Sequence, residues 1–284
     1  MEPDAAGWWP APAKINLFLH IVGRRADGYH LLQTVFQFVD LCDGLRFAPR
    51  PDGQIRLLTP LPGVPAEQDL CVRAARALQA HTGCGVGVDI ELTKRIPMGG
   101  GLGGGSSDAA TTLLVLNHLW GLGLSRAQLA GIGLALGADV PVFIGGRAAW
   151  AEGVGERLAP IALDEPWYLI VDPGVPVATA SVFGHPKLTR NTPPIRISSF
   201  RAGATGNDCL AVVRALYPEL DAAYRWLAGF GRAQLSGTGG CMFVRFDEQP
   251  AAQAVLARLP APWRGWVVRG MNRHPLHGLL AASD

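Results

Sequence analysis

Six of the seven residues from Gly99 to Gly105 are glycine, and Ser106, Ser107 and Asp108 follow at once. Such a run loses much backbone entropy on ordering and packs no β-carbon in return. A folded chain carries it where something approaches the backbone closely or where φ must be positive. Phosphoryl transfer needs few further parts: a divalent metal, and a group that orients and deprotonates an acceptor hydroxyl. Asp139 is a candidate base, and general-base help is worth roughly 10²–10⁴-fold in rate. Lys14 beside it would keep it ionised and lower the hydroxyl's pKa. Separation along the chain does not establish that pairing; alone, Lys14 reads first as a solvated strand-end lysine, and Asp139 equally as a turn residue. Ser107 or Asp108 could help hold magnesium, which binds through phosphates and one or two oxygen ligands.

These residues need elements to hold them. Val86, Val88, Ile90 and Leu92 alternate as a strand does, while Ala109, Leu113, Leu116 and Trp120 share one helix face. The glycine run therefore joins a strand to a helix start, with Ser106 or Ser107 expected as N-cap. Unpaired N–H groups and the positive dipole end there suit a phosphate. The other reading of the run is a linker or tight turn. Gly99, Gly101 and Gly104 satisfy G-x-G-x-x-G, but a dinucleotide fold wants that loop on its first strand with an acid about 20 residues on. A Walker loop wants lysine where Ser106 stands.

Upstream, Ile15, Leu17, Leu19 and Ile21 alternate with Lys14, Asn16, Phe18 and His20, so Lys14 and Asn16 share a strand face. A second strand is expected over Leu31 to Val39. The hairpin loop between them displays Arg24, Arg25, Tyr29 and His30, by itself only a polar loop. Leu45 to Ala48 and Gln54 to Thr59 read as another hairpin around Pro51-Asp52-Gly53. Asp69 caps a helix running to about Gln79. Ser125 to Gln128 is a capping box opening a short helix that Gly137 closes. Asp139 then falls at a helix C-terminus, where the dipole does not favour an acid. Later expectations are strands at Ala148 to Ala151, Trp167 to Val171, Cys241 to Phe246 and Trp266 to Arg269. Helices are expected near 207–216, 219–229 and 248–259, and a long loop over 184–206.

The chain has 284 residues, 49% hydrophobic and 17% charged, which reads as globular. A net charge of +2 gives no case for nucleic acid. No apolar run reaches the ~18 residues of a membrane span, and the start lacks the basic region of a secretory signal. Five cysteines without C-x-x-C spacing read as free thiols in a reducing cytoplasm.

Pro97 to Ala110 resembles the second motif of the GHMP small-molecule kinases, a family that includes galactokinase, homoserine kinase and mevalonate kinase. Ala13-Lys14-Ile15-Asn16-Leu17 resembles the first motif, and Leu235 to Cys241 the third. Gly23 to His30, Leu136 to Phe143 and Ala151 to Glu156 resemble the branch whose acceptor is a methylerythritol carrying cytidine diphosphate, in non-mevalonate isoprenoid biosynthesis. The resemblance implies an α+β fold of two domains: ribosomal-S5-domain-2-like over residues 1–160, ferredoxin-like over 161–284. It implies ATP with Mg2+, and phosphorylation of the acceptor's 2-hydroxyl. It makes Asp139 the base and Lys14 its partner, with Asn16 holding the acceptor. Tyr29 would stack on the cytosine, His30 bond its edge, Phe183 cover its other side and Thr179 touch the substrate. Pro97, Gly99, Gly100, Gly101, Leu102, Gly103, Gly104, Gly105, Ser106 and Ser107 would cradle the triphosphate. Asp69 and Lys94 would lie on the adenosine side.

The chain departs from the family at Asp69, where asparagine is usual; a carboxylate cannot donate to an adenine nitrogen. Thr238 and Gly239 stand where serines are frequent. The same resemblance implies a cytoplasmic monomer or weak homodimer without membrane or nucleic-acid partners. Rival readings are another kinase of the family, a non-catalytic nucleotide binder on its scaffold, and a Rossmann dehydrogenase.

Overall fold

The protein is described by a computed structural model covering residues 4–201, 203 and 206–280. The expected first hairpin forms, with longer arms. β1 (Trp9–Arg24) pairs antiparallel with β2 (His30–Arg50) through a register shifted by bulges, one of them between Asn16 and Leu19. β2 runs unbroken past Val39 and takes in Leu45 to Ala48, so the second expected hairpin does not exist. Instead β3 (Ile55–Leu57) lies parallel to β4 (Gly87–Thr93), and β4 pairs antiparallel with the far end of β2. Gly87 explains why β3 can settle there: a β-carbon on it would stand 2.2 Å from the Gln54 carbonyl oxygen. Only a residue without one lets the two backbones approach so closely.

α1 (Leu70–Thr82) begins where Asp69 accepts from the Cys71 and Val72 amides and ends at Gly83, whose φ of 70° makes a left-handed cap. α2 (Gly104–Leu119) starts three or four residues earlier than expected. Its N-cap is Gly103 at φ 71°, with no side-chain cap, and Ser106 and Ser107 lie inside the first turn. Nor does it show a single apolar face. Every residue from Ser107 to Asn117 is buried, because α2 sits between the sheet and its neighbouring helices. α3 (Arg126–Leu134) opens on the Ser125–Gln128 capping box. Val140–Gly145 then forms a further helix, α4, with Pro141 in its first turn, where a missing N–H costs nothing. Asp139 therefore stands at a helix N-terminus, and the expected conflict with a C-terminal dipole is removed.

β5 (Ala149–Gly153) pairs with β2 and β6 (Arg157–Pro160). The second half runs β7 (Trp167–Asp172), α5 (Thr179–Gly184), α6 (Ile197–Arg201), α7 (Leu210–Leu216), α8 (Pro218–Ala228), β8 (Gln234–Leu235), β9 (Met242–Phe246), α9 (Gln249–Leu256) and β10 (Arg264–Met271). α6 thus interrupts what the sequence presents as a long loop over 184–206. β10 lies between β7 and β2, which makes one sheet of both halves. One apolar core lies around α1, α2 and α4, a second around α7 to α9. A third joins them through Ile15, Leu102, Ile170 and Phe243.

Leu276 returns from beyond β10 to complete the first core, and His274 beside it is fully buried, edge-on to Phe38 and Phe143. Burial, with His277 and Arg126 adding to it, pushes the His274 imidazole down to about 3. The unfolded chain takes up a proton there near the ordinary ~6.5 while the folded chain does not, so stability falls as pH drops through that range. Urea unfolding at about pH 5 should show a loss of about 2 kcal/mol relative to about pH 7.5 that His274→Gln does not share.

Candidate active site

Lys14 lies mid-strand on β1 and is only 3% exposed, so it is not a solvated lysine. Its ammonium has three donors and finds three oxygens: Asn16 Oδ1 at 2.7 Å, the Gly101 carbonyl at 3.1 Å and Asp139 Oδ2 at 3.2 Å. Its Nζ also lies 5.3 Å from the centre of the Phe36 ring. The pairing that sequence separation could not establish is therefore present. Asp139 is half-buried, held at the start of α4 without capping it, so its second oxygen is free of helix duty. Asn16 Nδ2 donates to Thr34 Oγ1 at 2.9 Å. Asn16, expected to hold the acceptor, orients Lys14 through its Oδ1 and borders the larger cavity.

The glycine loop is built against this cluster. Gly99, Gly101 and Gly103 all have φ near 70°. A β-carbon on Gly103 would sit 3.0 Å from Lys14 Cε and 3.0 Å from Phe143 Cζ. The Gly101 carbonyl accepts from Lys14 and, at 2.8 Å, from Ser236 Oγ, which itself accepts from the Asn16 amide. The three sequence motifs thus meet at one carbonyl. Opposite, Cys241 N donates to the Gly100 carbonyl at 2.9 Å, so the 236–241 loop is no free hairpin turn but a brace along the glycine run.

Two cavities meet at this loop. The larger, about 950 Å³, is lined by Lys14, Asn16, Tyr29, His30, Asp139, Thr179 and Phe183, as well as Arg24 and Thr238. The smaller, about 410 Å³, is lined by Asp69, Lys94, Pro97, every residue from Gly99 to Ser106, and Asp108. Gly99, Gly101, Gly103 and Ser106 border both. Ser107 lines neither; it is buried beneath the loop. Thr179 Oγ1 lies 2.9 Å from Thr238 Oγ1. Tyr29 is 64% exposed at the rim. His30 and Phe183 stack on each other, ring centres 4.8 Å apart, so Phe183 faces His30 rather than an open slot.

Beside the smaller cavity, Lys94 bridges two carboxylates: Asp108 Oδ2 at 2.7 Å and Asp43, which also accepts from the Arg95 and Ile96 amides. Burial opposes the charge on Lys94, but the two carboxylates outweigh it and hold its pKa up. Burial raises the Asp108 pKa, against the pull of Lys94. The Asp69 carboxylate is occupied as the α1 cap through Oδ1. Asp43, Thr34, Ser236 and Arg190 escaped the sequence reading as site residues. Asp43 left a trace as an acid inside an apolar strand, and Ser236 as a member of the third motif.

The model of the GHMP kinases N terminal domain matches residues 69–147, and that of the GHMP kinases C terminal domain residues 190–265. A relative from Halorhodospira halophila, 4-diphosphocytidyl-2-C-methyl-D-erythritol kinase, is 59% identical over 97% of this chain and 96% of its own length. One of the same name from Nitrosococcus oceani is 61% identical over 93% of this chain and 94% of its own. A crystal structure of 4-(cytidine 5'-diphospho)-2C-methyl-D-erythritol kinase superposes with a TM-score of 0.82 at 34% identity, covering 93% of this chain and 98% of that one. With these relatives, the chain belongs to the GHMP kinase family.

Proposed function

We propose that the protein transfers the γ-phosphoryl group of ATP to the 2-hydroxyl of 4-diphosphocytidyl-2-C-methyl-D-erythritol. The observation that carries this is the Lys14–Asp139 contact of 3.2 Å in the larger cavity, against the glycine loop that both cavities share. Asp139 takes the proton of the acceptor hydroxyl as its oxygen bonds to the γ-phosphorus and the bond to ADP breaks. Lys14 keeps Asp139 ionised and lowers the charge cost of the developing alkoxide. The glycine loop and the start of α2 offer amides to the phosphates. The donor set fits Mg2+ carried with ATP. Asp108 borders the smaller cavity, its buried Oδ1 has no hydrogen-bond partner, and it would hold an ion that neutralises phosphate oxygens.

A base bonded edge-on to His30 lies in the plane of that ring, in the layer Phe183 already faces, with Tyr29 free to close on the other side. This supports the assignment of those three residues to the cytosine, and of Thr179 to the substrate. Asp69 and Lys94 border the cavity left for the adenosine. We divide the chain near residue 160, in keeping with its separate helical cores. It would work in the cytoplasm, as a monomer or weak homodimer. All five cysteines are free, and among the described residues no helix is long and apolar enough to cross a membrane.

Steady-state assays with this acceptor, mevalonate and homoserine test the reading: turnover is expected with the first, and its absence there overturns the proposal. Base stacking on an aromatic ring is worth roughly 1–3 kcal/mol. Tyr29→Ala should therefore raise the acceptor KM by about tenfold or more, with the KM for ATP unchanged.

A further inference from the structure

Arg190 bonds residues from both halves of the chain. Its Nη2 donates to the Phe183 and His185 carbonyls at 2.8 and 2.9 Å, its Nη1 to the Leu188 carbonyl at 3.1 Å, and its Nε to His30 Nε2 at 3.2 Å. Guanidinium has no acceptor and does not lose its proton. His30 Nε2 must therefore present its lone pair to Arg190. The proton of the neutral imidazole is left on Nδ1, and among the described residues Nδ1 has no hydrogen-bond partner. A second proton is disfavoured too: burial first, then the charges of Arg190 and Arg24, hold the His30 pKa below its ordinary value. The same guanidinium fixes the backbone of Phe183, whose ring stacks on His30 at an interplanar angle of 19° and leaves the imidazole edge as its hydrogen-bonding surface.

We infer that Arg190 is a positioning residue that locks His30 as the Nδ1–H tautomer and so makes the site select cytosine over uracil. The inference rests on the cytidine-bearing acceptor proposed above. Cytosine N3 carries a lone pair that an Nδ1–H can meet. Uracil carries a hydrogen at N3, so donor faces donor and both are left unpaired. An unmet buried hydrogen bond of this kind costs about a tenfold to hundredfold loss in binding.

Long-range proton–nitrogen correlation spectra of the full chain, with His30 assigned by comparison with His30→Gln, read the tautomer directly. The expected result is a protonated Nδ1 in the wild type; a protonated Nε2 overturns the inference. In kinetics, the wild type should favour the cytidine acceptor over its uridine analogue by at least about tenfold. Arg190→Met should lose most of that preference through a higher KM for the cytidine acceptor, with kcat and the KM for ATP held. Arg190→Lys, which can still donate to Nε2, should restore part of it. If Arg190→Met instead lowers kcat equally with both acceptors and leaves the tautomer unchanged, Arg190 merely holds its loop and the inference fails. If the wild type uses neither acceptor, the failure is that of the proposed substrate, and the imidazole spectrum still decides what Arg190 does.

Discussion

Asp139→Asn should lower kcat by about a thousandfold, within the range general-base catalysis supplies, while ATP binds nearly as before. The substitution keeps shape and length. It removes the charge that Lys14 meets at 3.2 Å and the lone pair that receives the acceptor's proton. Lys14 keeps its bonds to Asn16 and to the Gly101 carbonyl, so the glycine loop has no reason to move. Asp139 makes no cap hydrogen bond to α4, so folding should not suffer. The loss should therefore appear in kcat and kcat/KM together, the pattern of an interaction made in the transition state. Single-turnover rates and nucleotide titration measure the two sides separately. A variant turning over within about tenfold of wild type would remove Asp139 from the role of base.

Gly101→Ala should be nearly as severe for a different reason. The residue sits at φ 73°, and its new methyl would lie 2.1 Å from the Ser236 carbonyl oxygen. The obstacle is backbone, so no side chain can swing aside. The two loops must part, and the Gly101 carbonyl that joins Lys14 and Ser236 moves with them. Overpacking and left-handed strain together cost about 2–4 kcal/mol, and displacement of about 1 Å at the reacting centre costs on the order of a hundredfold in rate. Gly99→Ala is the control. Its φ is 70°, but a β-carbon there meets nothing within 4 Å. It should cost only about 1–2 kcal/mol of strain and keep most activity. Thermal unfolding and kcat for the pair separate crowding from conformation; equal losses in both would mean that contact with the 236–241 loop is unimportant.

The sequence made some of this legible because the signal was local. Alternation on β1 put Lys14 and Asn16 on one face, and the bond between them follows from that spacing. Asp69 capped the helix it preceded. Other features depended on partners far along the chain. Lys14 is buried because Phe36 and the glycine loop close over it, which no periodicity on β1 reports. The second hairpin was misread because turn residues mark where a strand ends, not which strand it joins. β3 fits beside β4 because Gly87 has no side chain to strike the Gln54 backbone. Asp139 was assigned to the wrong helix end because six residues containing a proline give too short a pattern to register as α4. Arg190 and His30 meet through the sheet and α5, and neither carries any mark of the other.

The placement of β10 bears on how this protein is born. The strand that sits between β2 and β7, and Leu276 just after it, are made long after α1, α2 and α4. A nascent chain that has emerged only through β6 has its glycine loop and Asp139, but an unfilled edge on β2 and a gap where Leu276 belongs. Domains usually fold in order as they leave the ribosome. Here the first half must wait, its sheet edge open, until the second half delivers the closing strand.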